Sequence, residues 1–115
     1  MRAFELADLL ATQRSGDTLY HEFLREPALS MGLYVLPAGG TDPQRPHTED
    51  EVYYIARGRG MITVGEEQRA VMAGAVVYVP ARVEHRFHSV AEELQILVFF
   101  APAEYSQAGG AGAEG

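Results

Sequence analysis

The fold is decided by two stretches, GGTDPQRPHTEDEVYYIARG (residues 39–58) and GAVVYVPARVEHRFHS (residues 74–89). Each begins at glycine and contains runs of Val, Ile, Tyr and Phe, which favour β-strands. Alternate residues of an extended chain point to the same face, so His47 and Glu51 share one face. A later strand brings His85. Two imidazoles and one carboxylate can therefore converge on one point.

These three side chains form a ligand set that suits Fe(II) and also accepts Mn, Ni, Co or Zn. We predict that His47, Glu51 and His85 hold one divalent metal ion. Glu49 shares the alternating face and could supply a fourth oxygen. Other interpretations stay open: an exposed loop histidine, a solvated carboxylate, or a core histidine, with no metal bound.

The chain has four histidines, and the remaining two are weaker candidates. His88 follows His85 by an odd number of residues, so a regular strand points the two rings to opposite faces. We therefore do not expect His88 to be a ligand. His21 lies on an earlier predicted strand, where a structural role is expected.

The first stretch resembles the first conserved motif of the cupin superfamily, Gly-x5-His-x-His-x3,4-Glu-x6-Gly. Gly39, His47, Glu51 and Gly58 stand at the motif spacing, and Arg45 replaces the first histidine. The resemblance thus carries over three ligands instead of four. A guanidinium stays protonated and cannot ligate a metal.

The second stretch resembles the second cupin motif, Gly-x5-Pro-x-Gly-x2-His-x3-Asn. Gly74, Pro80 and His85 match at the right spacing, whereas Arg82 replaces the usual Gly and Ser89 the usual Asn. The resemblance implies an all-β fold, an antiparallel β-barrel or jelly roll. It also implies a site inside the barrel.

Two residues are candidates for catalysis. Arg45 either turns away from the metal or approaches it when an anionic substrate lies between them, and it could then clamp a substrate carboxylate. Tyr53 shares the inward face with Glu51 and offers a phenol for orientation or proton transfer. Core packing is the alternative role for Tyr53.

One domain is expected from a chain of 115 residues. A short amphipathic helix over about 3–13 precedes a barrel over about 18–102, and the domain spans 1–104. The strands are predicted at 18–25, 29–36, 51–57, 60–65, 67–71, 75–79, 84–90 and 93–100. Gly58 and Gly60 are interpreted as turn residues between strands. The Gly- and Ala-rich residues 105–115 are expected to form a flexible tail.

Composition excludes several classes of function. The chain has no cysteine, which excludes disulfides, thiolate metal sites and a cysteine nucleophile. Its net charge of −7 disfavours binding to nucleic acid or to an anionic membrane. It has no apolar run of membrane-spanning length and no apolar segment of a secretory signal, so a cytoplasmic location is expected.

Two apolar runs without alternation, 75–80 and 94–102, overlap the predicted strands 75–79 and 93–100 and indicate that these strands are buried on both faces. A second copy of the chain is the expected cover, so we predict a homodimer; the N-terminal helix is the alternative cover. The resemblance implies an enzyme of dioxygenase or isomerase type that acts on a small-molecule substrate. An anionic substrate would be compatible with the role considered for Arg45. A non-catalytic ligand-binding module and a structural dimeric domain are the alternatives.

Overall fold

Six strands and one short helix make up the described part of this computed structural model, which covers residues 1–16, 18–43 and 46–107. The elements are α1 (Leu6–Arg14), β1 (Tyr20–Glu26), β2 (Leu29–Leu36), β3 (Asp50–Val64), β4 (Glu67–Met72), β5 (Val76–Val79) and β6 (His85–Ala101). All strand pairs are antiparallel. The predicted all-β fold with an N-terminal helix is confirmed. The sheet is jelly-roll-like and does not close into a barrel.

The sheet is built around the long pair β3 and β6. Its order is β1-β2-β6-β3-β4, and β5 pairs with β3 outside this path. The pairing of β3 with β6 runs from Asp50 opposite Ala101 to Val64 opposite His85. The first half of β3 also pairs with β5, and its second half pairs with β4. On the side away from β6, the neighbour of β3 therefore changes from β5 to β4 along the strand, as expected where a sheet folds over.

Gly58 and Gly60 do not separate two strands, so their interpretation as turn residues is wrong. Both lie within the continuous strand β3, where the register with β6 shifts between residues 55 and 61. Gly58 has a φ of +92°, and a Cβ there would lie 2.0 Å from the carbonyl oxygen of Glu93. A β-bulge with a close approach of two backbones needs glycine at this position.

The core lies on the inward face of the folded sheet. Tyr53 and Ile55 are fully buried, whereas Val52 is half-buried and Tyr54 is exposed, as strand alternation predicts. Phe87 of β6 is 1% exposed and packs edge-on against the ring of Tyr53. The apolar core thus surrounds the strand segments that contain the predicted ligands.

Helix α1 begins at Leu6, three residues later than predicted, and packs against β1 and β2. Its buried Gln13 side chain donates hydrogen bonds to the carbonyl oxygens of Thr18 and Leu19. This contact fixes the entry into β1. In the part of the chain that the structure describes, no helix has the length and apolar character needed to cross a membrane.

Gly58→Ala should destabilise the fold because the new methyl group would clash with the Glu93 backbone. Gly74→Ala is the matched control, since Gly74 has a φ of +95° but open space where a Cβ would lie. Both variants lose the glycine backbone preference, at about 1 kcal/mol. We expect Gly58→Ala to cost at least about 2 kcal/mol more, from overpacking. Urea unfolding measures both, and equal losses would contradict the bulge assignment.

Candidate metal centre

The candidate centre draws one side chain from each of three chain segments. His47 lies in the loop before β3, Glu51 is the second residue of β3, and His85 begins β6. Val79 at the end of β5 pairs with Glu51, and the loop 80–84 leads from there to His85. The amide of Arg82 in that loop donates a hydrogen bond to the carbonyl oxygen of His47, at 2.7 Å. Sheet pairing and one loop contact therefore bring the three residues together.

The three side chains face a common point. Glu51 Oε1 lies 3.1 Å from His85 Nε2 and 3.5 Å from His47 Nδ1. One candidate ligand atom from each residue lies within 4.8 Å of the other two. All three residues are buried, with Glu51 only 1% exposed. This buried group could bind a metal ion.

The facing atoms lack the hydrogen bonds that buried polar atoms normally make. Within residues 1–16, 18–43 and 46–107, His47 Nδ1, His85 Nε2 and both Glu51 carboxylate oxygens make no hydrogen bond of acceptable geometry. The 3.1 Å approach of Glu51 Oε1 to His85 Nε2 brings together two acceptor atoms when the imidazole is neutral with its proton on Nδ1. An unsatisfied buried polar atom costs about 1–3 kcal/mol. A cation among these atoms would satisfy both imidazole nitrogens and the carboxylate at once. The residues therefore fit a divalent metal ion.

The protonation of His85 is set by its surroundings. Its Nδ1 lies 2.8 Å from the carbonyl oxygen of Val83, so Nδ1–H donates and Nε2 is left facing Glu51. Burial lowers the pKa of His85, but the Glu51 carboxylate and the Val83 carbonyl raise it, and the net pKa lies above the ordinary value. A metal ion and this extra proton would compete for Nε2.

Glu49 lies outside the converging group. It is 1% exposed, and its carboxylate accepts hydrogen bonds from the backbone amides of Tyr105 and Gln107 and from the Thr48 hydroxyl. Glu49 thus holds residues 105–107, part of the predicted flexible tail, against the loop that contains His47. Residues 108–115 of that tail lie outside the described residues.

Of the two candidate catalytic residues, the structure describes only Tyr53. Arg45 lies outside the described residues. Tyr53 is fully buried, with its ring 6.0 Å from the ring of His85 and 4.8 Å from that of Phe87. It therefore packs behind His85 in the core.

The other two histidines lie away from the centre. His88 Nε2 lies 2.8 Å from the Thr63 hydroxyl, with its Nδ1 near the Ser89 hydroxyl. His21 is half-buried on β1. Neither belongs to the converging group of described residues.

A cavity of about 570 Å³ opens beside the centre. His47 and Glu51 line it, and the other lining residues are Thr18, Leu19, Tyr20, Tyr34, Pro43, Val98, Phe100, Glu104 and Tyr105. The Tyr20 hydroxyl is buried and has no hydrogen-bond partner among the residues described. Burial, together with the charges of Glu104, Glu22 and Glu51, raises the pKa of Tyr20, so its phenol stays neutral. It is thus available as a hydrogen-bond donor.

Asp42 fixes the loop that contains His47, a role that the sequence alone does not predict. It is 6% exposed, and its carboxylate accepts hydrogen bonds from the Tyr34 hydroxyl and from the Phe87 amide, the latter at 2.7 Å. These contacts join the loop to β2 and β6. The Asp-Pro dipeptide at 42–43 indicates only a turn. No local pattern predicts its distant partners.

The two residues that depart from the second motif, Arg82 and Ser89, both have a positive φ. Arg82 has a φ of +65° and Ser89 a φ of +50°, in the left-handed region that Gly and Asn adopt most readily. These are the positions at which the motif has Gly and Asn. Arg82 and Ser89 therefore adopt a backbone conformation that carries some strain in residues other than glycine.

Comparisons with known proteins agree with this architecture. Residues 32–100 match the family Cupin_2, described as a cupin domain. The chain is 52% identical over 104 residues to uncharacterized protein SCO3923 of Streptomyces coelicolor, covering 90% of this chain and 99% of that protein.

Solved structures share the fold. The TT1209 structure from Thermus thermophilus has a TM-score of 0.71 and 26% identity, covering 90% of this chain and 99% of that one. The DMSP lyase DddQ from Ruegeria pomeroyi has a TM-score of 0.62 and 23% identity, covering 66% of this chain and 39% of that one. The likeness to the lyase concerns the fold alone.

Asp42→Ala should destabilise the protein by about 3 kcal/mol, because it leaves a buried amide and a buried phenol without their carboxylate. Tyr34→Phe is the matched comparison and should cost about 1 kcal/mol, since Asp42 then keeps the Phe87 amide. Urea denaturation measures both losses. Equal losses would show that the bond from Asp42 to Phe87 contributes nothing.

Proposed function

The chain belongs to the cupin domain family, and we propose that it binds one divalent metal ion through His47, Glu51 and His85. The supporting observation is the set of buried nitrogen and oxygen atoms that face one point without hydrogen-bond partners in the described chain. Three protein ligands are typical of catalytic sites, whereas structural sites are usually closed by four. The ligand types accept Fe, Mn, Ni, Co or Zn.

We further propose that the cavity receives a small-molecule substrate and that the protein is an enzyme of dioxygenase or isomerase type. When bound, a divalent ion would supply Lewis-acid or redox chemistry at the cavity wall. Leu19, Val98 and Phe100 would exclude water from the substrate, and the Tyr20 hydroxyl would donate a hydrogen bond to a substrate oxygen. The DMSP lyase with this fold is consistent with chemistry on such a scaffold.

The two residues predicted for catalysis have separate proposed roles, and that of Tyr53 changes from a substrate contact to a contact with His85. Tyr53 packs against the ring of His85, so we propose that it orients this ligand. Arg45 precedes His47 by two residues, and we keep the proposal that it clamps a substrate carboxylate. To test this role, the affinity of the protein for candidate carboxylate ligands is compared with its affinity for the corresponding amides, which should bind more weakly.

A non-catalytic module that retains a small ligand is the second candidate. The cavity volume of about 570 Å³ and its apolar wall are typical of such sites. Oxygen-consumption and isomerase assays on metal-loaded protein discriminate the two, because a retention module binds its ligand without turnover. A structural dimeric domain would neither bind metal nor retain a ligand.

We also propose that the chain forms a homodimer through an outer patch made of Tyr54, Val76 and Tyr78. These side chains are 39%, 66% and 58% exposed, and Tyr54 lies opposite Val76 in the β3–β5 pair. The predicted burial of strand 75–80 on both faces is therefore not met within one chain. Neighbouring exposed apolar side chains commonly mark an interaction surface. A second copy would cover them through a self-complementary contact.

Removing a ligand should strip the metal. We expect about one divalent ion per chain in protein purified without chelator or His-tag. His85→Ala and Glu51→Gln should lower affinity by more than the roughly 10–100-fold that follows loss of a residue supporting a ligand. Elemental analysis and titration against a competing chelator measure the change.

The matched controls are His88→Ala and His21→Ala, which remove imidazoles outside the converging group. They should leave the metal content unchanged. Equal loss in controls and ligand variants would point to a non-specific effect on folding. Full occupancy in Glu51→Gln and His85→Ala would overturn the ligand assignment.

The double variant Val76→Asp, Tyr78→Asp should convert the dimer to a monomer, since it places two carboxylates in the outer patch. Sedimentation velocity measures the mass. Phe4→Asp is the control, because Phe4 is an exposed aromatic residue outside the patch, and it should stay dimeric. A monomeric wild-type protein at micromolar concentration would contradict the proposal.

A further inference from the structure

The far side of the His47 ring is occupied by a carboxylate from the chain segment that follows β6. Glu104 Oε2 lies 2.8 Å from His47 Nε2, and the Glu104 side chain is 17% exposed. The opposite ring nitrogen, Nδ1, faces Glu51. His47 therefore lies between two carboxylates, one at the candidate centre and one beyond it.

The position of Glu104 is fixed by its own backbone. Its amide donates to the Ser30 hydroxyl at 2.9 Å, and its carbonyl accepts from the Arg25 guanidinium at 2.9 Å. Both partners lie on neighbouring strands, Ser30 on β2 and Arg25 on β1. These two bonds fix the backbone of Glu104 to the sheet and so place its carboxylate beside His47.

The ring of His47 is also packed between aromatic neighbours, one stacked on it and one tilted against it. Tyr105 stacks on it, with ring centroids 5.0 Å apart and an angle of 29° between planes, and Phe100 lies 4.6 Å away. The Tyr105 amide donates to Glu49, next to the His47 loop. The ring therefore has little freedom to rotate away from Glu104.

A neutral imidazole has one N–H donor and one bare nitrogen acceptor. A carboxylate accepts hydrogen bonds but cannot donate them when ionised. Glu104 therefore places the imidazole proton on Nε2 and leaves Nδ1 bare. A metal ion needs this bare nitrogen, and carboxylates commonly orient ligating histidines in this way.

We propose that Glu104 is a positioning residue that holds the His47 proton on Nε2 and so presents Nδ1 to the centre. The effect on metal affinity rests on the proposed function, but the proton position does not. Glu104 is separate from the three converging residues and acts through His47. The short segment Ala103–Gln107 thus belongs to the site although it follows the last strand.

The test combines a measurement on metal-free protein with one on metal binding. Nitrogen-15 NMR of labelled histidine, at a pH where imidazoles are neutral, reports which ring nitrogen carries the proton. The wild-type protein should show His47 protonated at Nε2, and Glu104→Ala should give a mixture of both tautomers. Affinity for Zn²⁺, measured against a chelator, should fall about 10–100-fold in the same variant.

Two further variants separate positioning from a general loss of charge or fold. Glu104→Gln keeps an oxygen acceptor for Nε2–H and should retain more Zn²⁺ affinity than Glu104→Ala. Glu67→Gln removes an exposed carboxylate on β4 and should match the wild type in both measurements. Urea unfolding of each variant identifies any that fail to fold.

A proton on Nδ1 of wild-type His47 would overturn the proposal, as would unchanged or tighter Zn²⁺ binding in folded Glu104→Ala. If wild-type protein binds no Zn²⁺, the proposed function fails, while the tautomer measurement still decides the role of Glu104. The two failures are therefore distinguishable.

Discussion

The antiparallel pairing of β3 with β6 is the constraint on which the rest of the structure depends. It places Glu51 near one end of the pair and His85 at the other, and the fold-over of the sheet returns His85 to Glu51 through β5 and the loop 80–84. The bulge at Gly58 lets β3 continue past the Glu93 backbone. A sheet of this shape has an apolar interior in which buried polar groups need partners, and the facing atoms of His47, Glu51 and His85 have no hydrogen-bond partner among the described residues.

Most of the strand pattern could be predicted from local sequence. Glycine, proline and runs of β-branched and aromatic residues indicate β1, β2, β4 and β5 to within two residues at every end. The long strand β3 could not be recognised, because Gly58 and Gly60 are also typical of turns. The second long strand, β6, joins the two strands predicted at 84–90 and 93–100. Whether a glycine ends a strand or allows a bulge depends on the backbone opposite, here at Glu93, and that partner is not encoded locally.

The converging residues could be predicted because their spacing along a strand and their resemblance to a known motif point the same way. His47, Glu51 and His85 were proposed from the sequence, and the structure brings them together. Asp42 and Glu104 could not be predicted, since each contacts a partner on a distant strand and neither belongs to a spaced motif. Glu49 had the right alternation, but the nearby amides of Tyr105 and Gln107 take its carboxylate.

The separation of the paired residues along the chain bears on how the protein reaches its native state. Asp50 pairs with Ala101, so much of the sheet must wait for chain segments that are far apart in sequence to meet. Such topologies fold slowly, because closing a long loop costs conformational entropy before the stabilising contacts between the strands have formed. The centre is therefore completed only after the last strand has docked. A nascent chain still lacking that strand has not assembled the group of His47, Glu51 and His85 that could bind a metal ion.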